Sequence, residues 1–182
     1  MATPQEYEQV KAFARIDGAL VALMWSGSFA CFVGNFYNPM FGKLFFIIGA
    51  LSLVFAALRL KRFRDQVLDG IISFRRAFTY SLLTYLYASL LFAMVQYIYF
   101  QFLDHGSLMT QYMSVATSKE FTDMMKVYGM NPEDVKLAMD NIASLRPIGI
   151  ALQFFSTDIM MGFFISLPVA AIMTRKRIRK RV

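Results

Sequence analysis

The sequence predicts an all-α membrane protein of four transmembrane helices, with two short amphipathic helices in the extracytoplasmic loop between spans three and four. Three observations carry this. Four long apolar stretches punctuate the chain, the loops between them alternate between many and few basic residues, and the composition is 57% hydrophobic and 16% aromatic with a mean hydropathy of +0.47 over 182 residues. Soluble domains carry about 45 to 50% apolar residues, so a bilayer is the expected solvent. The whole chain, 1–182, reads as a single four-span membrane domain.

The first span covers about residues 16–37, and at 1.5 Å per residue its roughly 22 residues reach about 33 Å, enough to cross a hydrocarbon core. A cleaved signal peptide is the rival reading. The run is too long for one, and the segment before it carries Glu6 and Glu8 as well as Lys11 and Arg15. Asn38 and Pro39 break the chain, because proline restricts the residue before it and cannot continue a helix. A second span follows over about residues 40–58. Residues 59–76 then form a charged connector with Arg59, Lys61, Arg62, Arg64, Arg75 and Arg76 against Asp65 and Asp69, too polar to be immersed. The third span, about 77–103, is longer than the bilayer is thick and should tilt or protrude.

Residues 104–146 are the only segment large enough for structure outside the membrane. A helix of roughly 118–128 should end at Gly129, presenting Phe121, Met124, Met125 and Tyr128 as a stripe. A second should open at Asn131, since a capping side chain is followed by Pro132 and by acids at Glu133 and Asp134. These faces either pack on each other and lie on the membrane surface or form a methionine-rich surface for an apolar ligand or partner. The fourth span, about 147–173, opens at Pro147, and the chain closes on TRKRIRKRV.

Basic residues partition by loop. Two lie before the first span, six in the connector and six in the tail, while the other side has five: Lys43, Lys119, Lys126, Lys136 and Arg146. Short cytoplasmic loops retain Lys and Arg, so both termini are expected to be cytoplasmic. The same clusters, Arg59, Lys61, Arg62, Arg64, Arg75, Arg76, Arg175, Lys176 and Arg177, are expected to meet anionic lipid head groups or a protein partner. The net charge of +7 follows topology rather than a separate basic face, so nucleic acid is not an expected partner.

No zinc spacing, phosphate-cradling glycine loop, nucleophile elbow or paired glutamates occur, and no metal or cofactor is expected. Cys31 stands alone in an apolar run and reads as packing. Asp104 and His105, at the outer end of the third span, read as a polar boundary turn rather than an acid-base pair. The sharpest single residue is Asp158, a carboxylate near the middle of the fourth span. Such a group costs about 2.5 to 3.5 kcal/mol on insertion scales and should face the bundle. Antiparallel packing places it near Ser89 and Gln96 on the third span, and near Ser26 on the first. Asp17 looks similar but sits at the cytoplasmic mouth of the first span, where an interfacial ion pair is expected. The first span also repeats small residues every four positions, Gly18, Ala22, Ser26, Ala30 and Gly34, a groove that admits another backbone from the same chain or a second copy.

The stretch FRRAFTYSLLTYLYASLLFAMVQYIYFQFLD, the capped helix pair and the basic tail together resemble an uncharacterised family of small four-span inner-membrane proteins of Bacteroidota. The resemblance covers nearly the whole chain and implies a bacterial inner membrane with a periplasmic outer loop. It brings no activity and no catalytic residues. The leading expectation is a noncatalytic scaffold or anchor subunit with a basic cytoplasmic docking face; an intramembrane enzyme acting on a lipid has only the polar third span in its favour. The alternative is a small ion- or proton-coupled transporter built on Asp158, working as a homodimer because four spans enclose little volume.

Overall fold

The computed structural model describes residues 4–174, which leaves the tail residues Arg175, Lys176 and Arg177 outside the described residues. Among the described residues seven helices follow one another: α1 (Pro4–Gly34), α2 (Met40–Val67), α3 (Phe74–Phe102), α4 (Ser107–Ala116), α5 (Lys119–Val127), α6 (Pro132–Ala143) and α7 (Pro147–Met173). No strand occurs among the described residues. Helices α1, α2, α3 and α7 are each long and apolar enough to cross a membrane, so this is an all-α, multi-pass membrane protein.

The helices do not stop where the apolar residues stop. The first begins at Pro4 rather than near residue 16, and its 31 residues span about 46 Å, well beyond a hydrocarbon core of about 30 Å. The second runs on through Arg59, Lys61, Arg62 and Arg64 to Val67, so most of the expected connector is helix, and only residues 68–73 separate α2 from α3. Arg and Lys have good helix propensity, and ionic residues end a membrane crossing without ending a helix. Between α1 and α2 the break falls at Asn38 and Pro39, with the Asn38 Oδ1 accepting from the Met40 N–H at 2.9 Å.

Contacts divide the chain into two compact units, one comprising residues up to Phe92 and from Phe155 on, the other Ala93–Phe154. In the first, α1 packs along α2. Its main apolar cluster joins Val10, Ala14, Leu60, Phe63, Ile72, Ala77, Tyr80 and Ala170, residues of all four long helices and of the short link before α3. A second cluster, farther along the helices, gathers Val21, Ala22, Ala56, Tyr85 and Ala88. Side-chain hydrogen bonds tie α1 to α2 there: Trp25 Nε1 donates to Ser52 Oγ at 3.0 Å and Ser28 Oγ to the Phe45 carbonyl at 2.9 Å.

The second unit holds three outer helices, one more than the sequence predicts. Helices α5 and α6 fall where expected. Ser118 caps α5 by accepting from the Phe121 N–H at 3.2 Å, and Asn131 Oδ1 accepts from the Glu133 N–H at 3.1 Å at the start of α6. The additional helix, α4, opens after a turn held by Asp104, whose Oδ1 accepts from the Tyr99 hydroxyl at 3.1 Å and the Leu108 N–H at 2.8 Å. His105 in that turn is exposed, with φ at 47°. Burial pushes the Tyr112 hydroxyl above its ordinary pKa of 10.0. Within the same unit Phe100 stacks on Phe154 at 6.4 Å between ring centres.

Candidate functional site

The most developed polar site lies in the first unit, where α1, α2 and α3 converge on Asp17. Gly18 makes the convergence possible. A Cβ on Gly18 would stand 2.7 Å from both the Thr84 carbonyl oxygen and the Tyr87 Cβ, so only glycine lets the α3 backbone come this close. One turn before Thr84, Tyr80 donates its hydroxyl to Asp17 Oδ2. From α2, Arg59 places Nε and Nη2 2.5 Å from Asp17 Oδ1. Phe63 backs the tyrosine, stacked on Tyr80 at 4.7 Å between ring centres. Asp17 is 1% exposed, as is Tyr80. Both carboxylate oxygens are engaged, so the group is neither a free base nor an open cation ligand. Its chemistry is that of a lock: a buried charge whose ion pair and hydrogen bond fix the rotation of three helices.

Two further arginines of the expected docking set turn inward. Arg64 is almost fully buried; its Nε and Nη2 hold Asp65 at 2.7 and 3.1 Å, and its Nη1 donates to the Met173 carbonyl at 3.2 Å. A cation on the last carbonyls of α7 satisfies groups that have no helical donor and complements the helix dipole. Arg76 reaches back to α1, with Nη1 3.3 Å from Glu6 Oε1 and Nη2 3.0 Å from Gln9 Oε1. Lys61, Arg62 and Arg75 remain exposed, Arg62 making only a local bond to Gln66 at 2.8 Å. The basic set is therefore two populations, one internal and one facing outward.

Around Asp158 the sequence expectation divides. Gly162, one turn along α7, abuts the Tyr85 side chain of α3, which sets the antiparallel register and puts Asp158 at the level of Ser89. Asp158 is half-buried, and its Oδ2 is buried with no hydrogen-bond partner among the described residues. Ser89 is buried, but its hydroxyl donates to the Tyr85 carbonyl of its own helix at 2.8 Å. Ser26 likewise donates to the Ala22 carbonyl at 2.8 Å. Gln96 is buried with Oε1 unpartnered, and it belongs to the second unit. The Tyr85 hydroxyl, in the first unit, is also buried and unpartnered.

The small-residue stripe of α1 meets different neighbours along its length. Gly18 and Ala22 are buried, Gly18 against α3; Ser26 is half-buried, Ala30 exposed, and Gly34 lies close to the Phe41 ring of α2. Among the described residues no three His, Cys, Asp or Glu side chains gather as a metal site.

With this geometry in view, the family model described as protein of unknown function (DUF4199) matches residues 16–175, nearly the whole chain. The chain belongs to the DUF4199 family. No curated protein and no solved structure matches it. The matched region of this DUF4199 member takes in α1 from residue 16 on and the whole of α2, α3 and α7, with the Asp17 lock and Asp158, so both polar sites lie inside the family domain. Sequence reasoning anticipated an ion pair at Asp17 but missed Tyr80 as its second partner. The available signal was Gly18 beside the acid: a position where another helix closes in brings that helix's polar side chains within reach.

Proposed function

We propose that this DUF4199 protein is a noncatalytic scaffold or anchor of a bacterial inner membrane, with both termini cytoplasmic and a basic cytoplasmic face that docks an acidic partner. The observation that supports this reading most directly is the division of the arginines. Arg59, Arg64 and Arg76 spend their charge inside the protein, tying α1, α2, α3 and the end of α7 to one another. Lys61, Arg62 and Arg75 stay exposed at the same ends of α2 and α3. A rigid platform carrying unspent positive charge is what an anchor for a protein partner or for anionic head groups requires. The partition of Lys and Arg among the loops supports the orientation, and the resemblance to small four-span inner-membrane proteins of Bacteroidota is what supports a bacterial inner membrane.

The test is the triple variant Lys61→Glu, Arg62→Glu, Arg75→Glu, purified from native membranes alongside the unaltered chain. A partner that accompanies the unaltered chain in fixed proportion should be lost from the variant while the melting temperature holds. A chain that always elutes alone overturns the reading.

The buried, unpartnered Oδ2 of Asp158 favours a second reading, a small proton- or cation-coupled carrier acting as a homodimer. In reconstituted vesicles Asp158→Asn should then abolish coupled uptake, and unchanged coupling dismisses the carrier.

A further inference from the structure

Helix α5 has apolar and polar faces, yet it buries none of its nine residues. Phe121 and Met125 are half-buried, while Met124 is exposed, and Val127 and Tyr128 reach 82% and 72% exposure. The turn that follows is rigidly closed. Gly129 takes φ of 70°, the Met130 N–H donates to the Met125 carbonyl at 2.9 Å, and the Gly129 N–H donates to the Lys126 carbonyl at 3.1 Å. These two bonds make the glycine cap in which the residue after the glycine folds back over the last turn, so exposed Met130 is held beside the others. Met124, Val127, Tyr128 and Met130 thus form one preformed apolar tip.

Continuity of the chain indicates what covers it. Helix α4 opens at Ser107, just behind the end of α3 at Phe102, and α6 closes at Ala143, just ahead of Pro147 at the start of α7. Both ends of the three-helix segment are thereby tied to the ends of two spans in their own unit, where hydrocarbon gives way to head groups. The charges of α5 cancel, Lys119 and Lys126 against Glu120 and Asp123, so nothing draws the tip toward a charged partner. An amphipathic helix ending in exposed methionine, valine and tyrosine suits the interface, where aromatic rings with a polar tip are enriched.

We infer that the tip of Met124, Val127, Tyr128 and Met130 is seated in the head-group layer of the bilayer around the protein's own spans, held by apolar burial without dependence on lipid charge. This goes beyond the scaffold reading and stands without it. The test uses the full chain with Cys31→Ala and a single fluorophore-bearing cysteine, Val127→Cys or, in a second preparation, Tyr128→Cys, reconstituted into phosphatidylcholine nanodiscs. Emission should shift to the blue relative to the denatured chain. A quencher carried on lipid should act more strongly than a water-soluble one, equally with and without anionic lipid. Stronger quenching from water overturns the inference. So does a label that neither quencher reaches, because protein then covers the tip, a second copy if labels on two chains quench each other.

Discussion

The end of the first unit around Asp17 and the outer helices of the second unit are built from the same residue classes, yet they use them in opposite ways. Around Asp17, charged and aromatic side chains are driven inward: Arg59 and Tyr80 close on one acid, and Phe63 and Tyr80 join an apolar cluster drawn from all four long helices. In the outer helices the charges stay in solvent, as with Lys126 and Asp123 at 3.8 Å, and large apolar residues stay exposed with them. Helices of about 30 residues that outrun the bilayer must find a reason to stay together beyond it. Water restores the hydrophobic driving force there, and ion pairs supply the register. The outer helices, of 9 to 12 residues, are too short to hold themselves by propensity and rest on caps and on what they lie against.

The largest effect that would break this comparison is at Asp17. Asp17→Ala leaves Arg59 and Tyr80 unpaired in the packed end, and breaking a buried pair costs about 3 to 5 kcal/mol. Arg59 keeps 23% exposure and can reach water, which puts the expected loss at the lower end of that range. Reversible unfolding in mixed micelles measures it. A loss within about 0.5 kcal/mol, the range of ordinary surface substitutions, would mean that the lock contributes nothing.

A smaller effect separates two glycines of the same helix. Gly18→Leu drives a side chain into the Thr84 carbonyl and the Tyr87 Cβ, and overpacking of this kind costs about 1 to 3 kcal/mol. At Gly27, which is exposed, an added Cβ meets nothing within 4 Å, so Gly27→Leu should leave the melting temperature unchanged or raised. Equal losses at both positions would show that α1 tolerates no leucine for reasons unrelated to α3.

Much of this architecture is legible in the sequence because it rests on short-range chemistry. Ser118 and Asn131 with Pro132 mark their helix starts locally, and the four apolar runs need only a length. The all-α membrane fold follows from these alone. What resists reading is rotation. Whether Arg59 faces Asp17 or lipid depends on which way α2 turns by a fraction of its circumference, and six basic residues in one connector carry no sign of which three point inward. Tyr80 is one of several tyrosines on α3 until Gly18 selects the contact. Helix α4 escapes notice because its methionines and Leu108 are interspersed with Ser, Thr and Gln, and because its start depends on Asp104, a residue that reads as the end of the preceding span.

The smallest expected effect tests the outer side of the comparison. Ser118 contributes to α5 through its cap alone, accepting from the Phe121 N–H, and α5 buries no residue that could compensate for its loss. Ser118→Ala should therefore cost about 1 kcal/mol within that helix. An effect of this size changes the ratio of closed to open helix roughly fivefold. Hydrogen exchange of the α5 amides should quicken by about that factor, while amides near Asp17 keep their protection, because α5 supplies no residue to the apolar clusters of the first unit. Faster exchange in both places would show that the outer helices and the ion-paired end unfold as one body, and that the contrast drawn between them is one of composition rather than of stability.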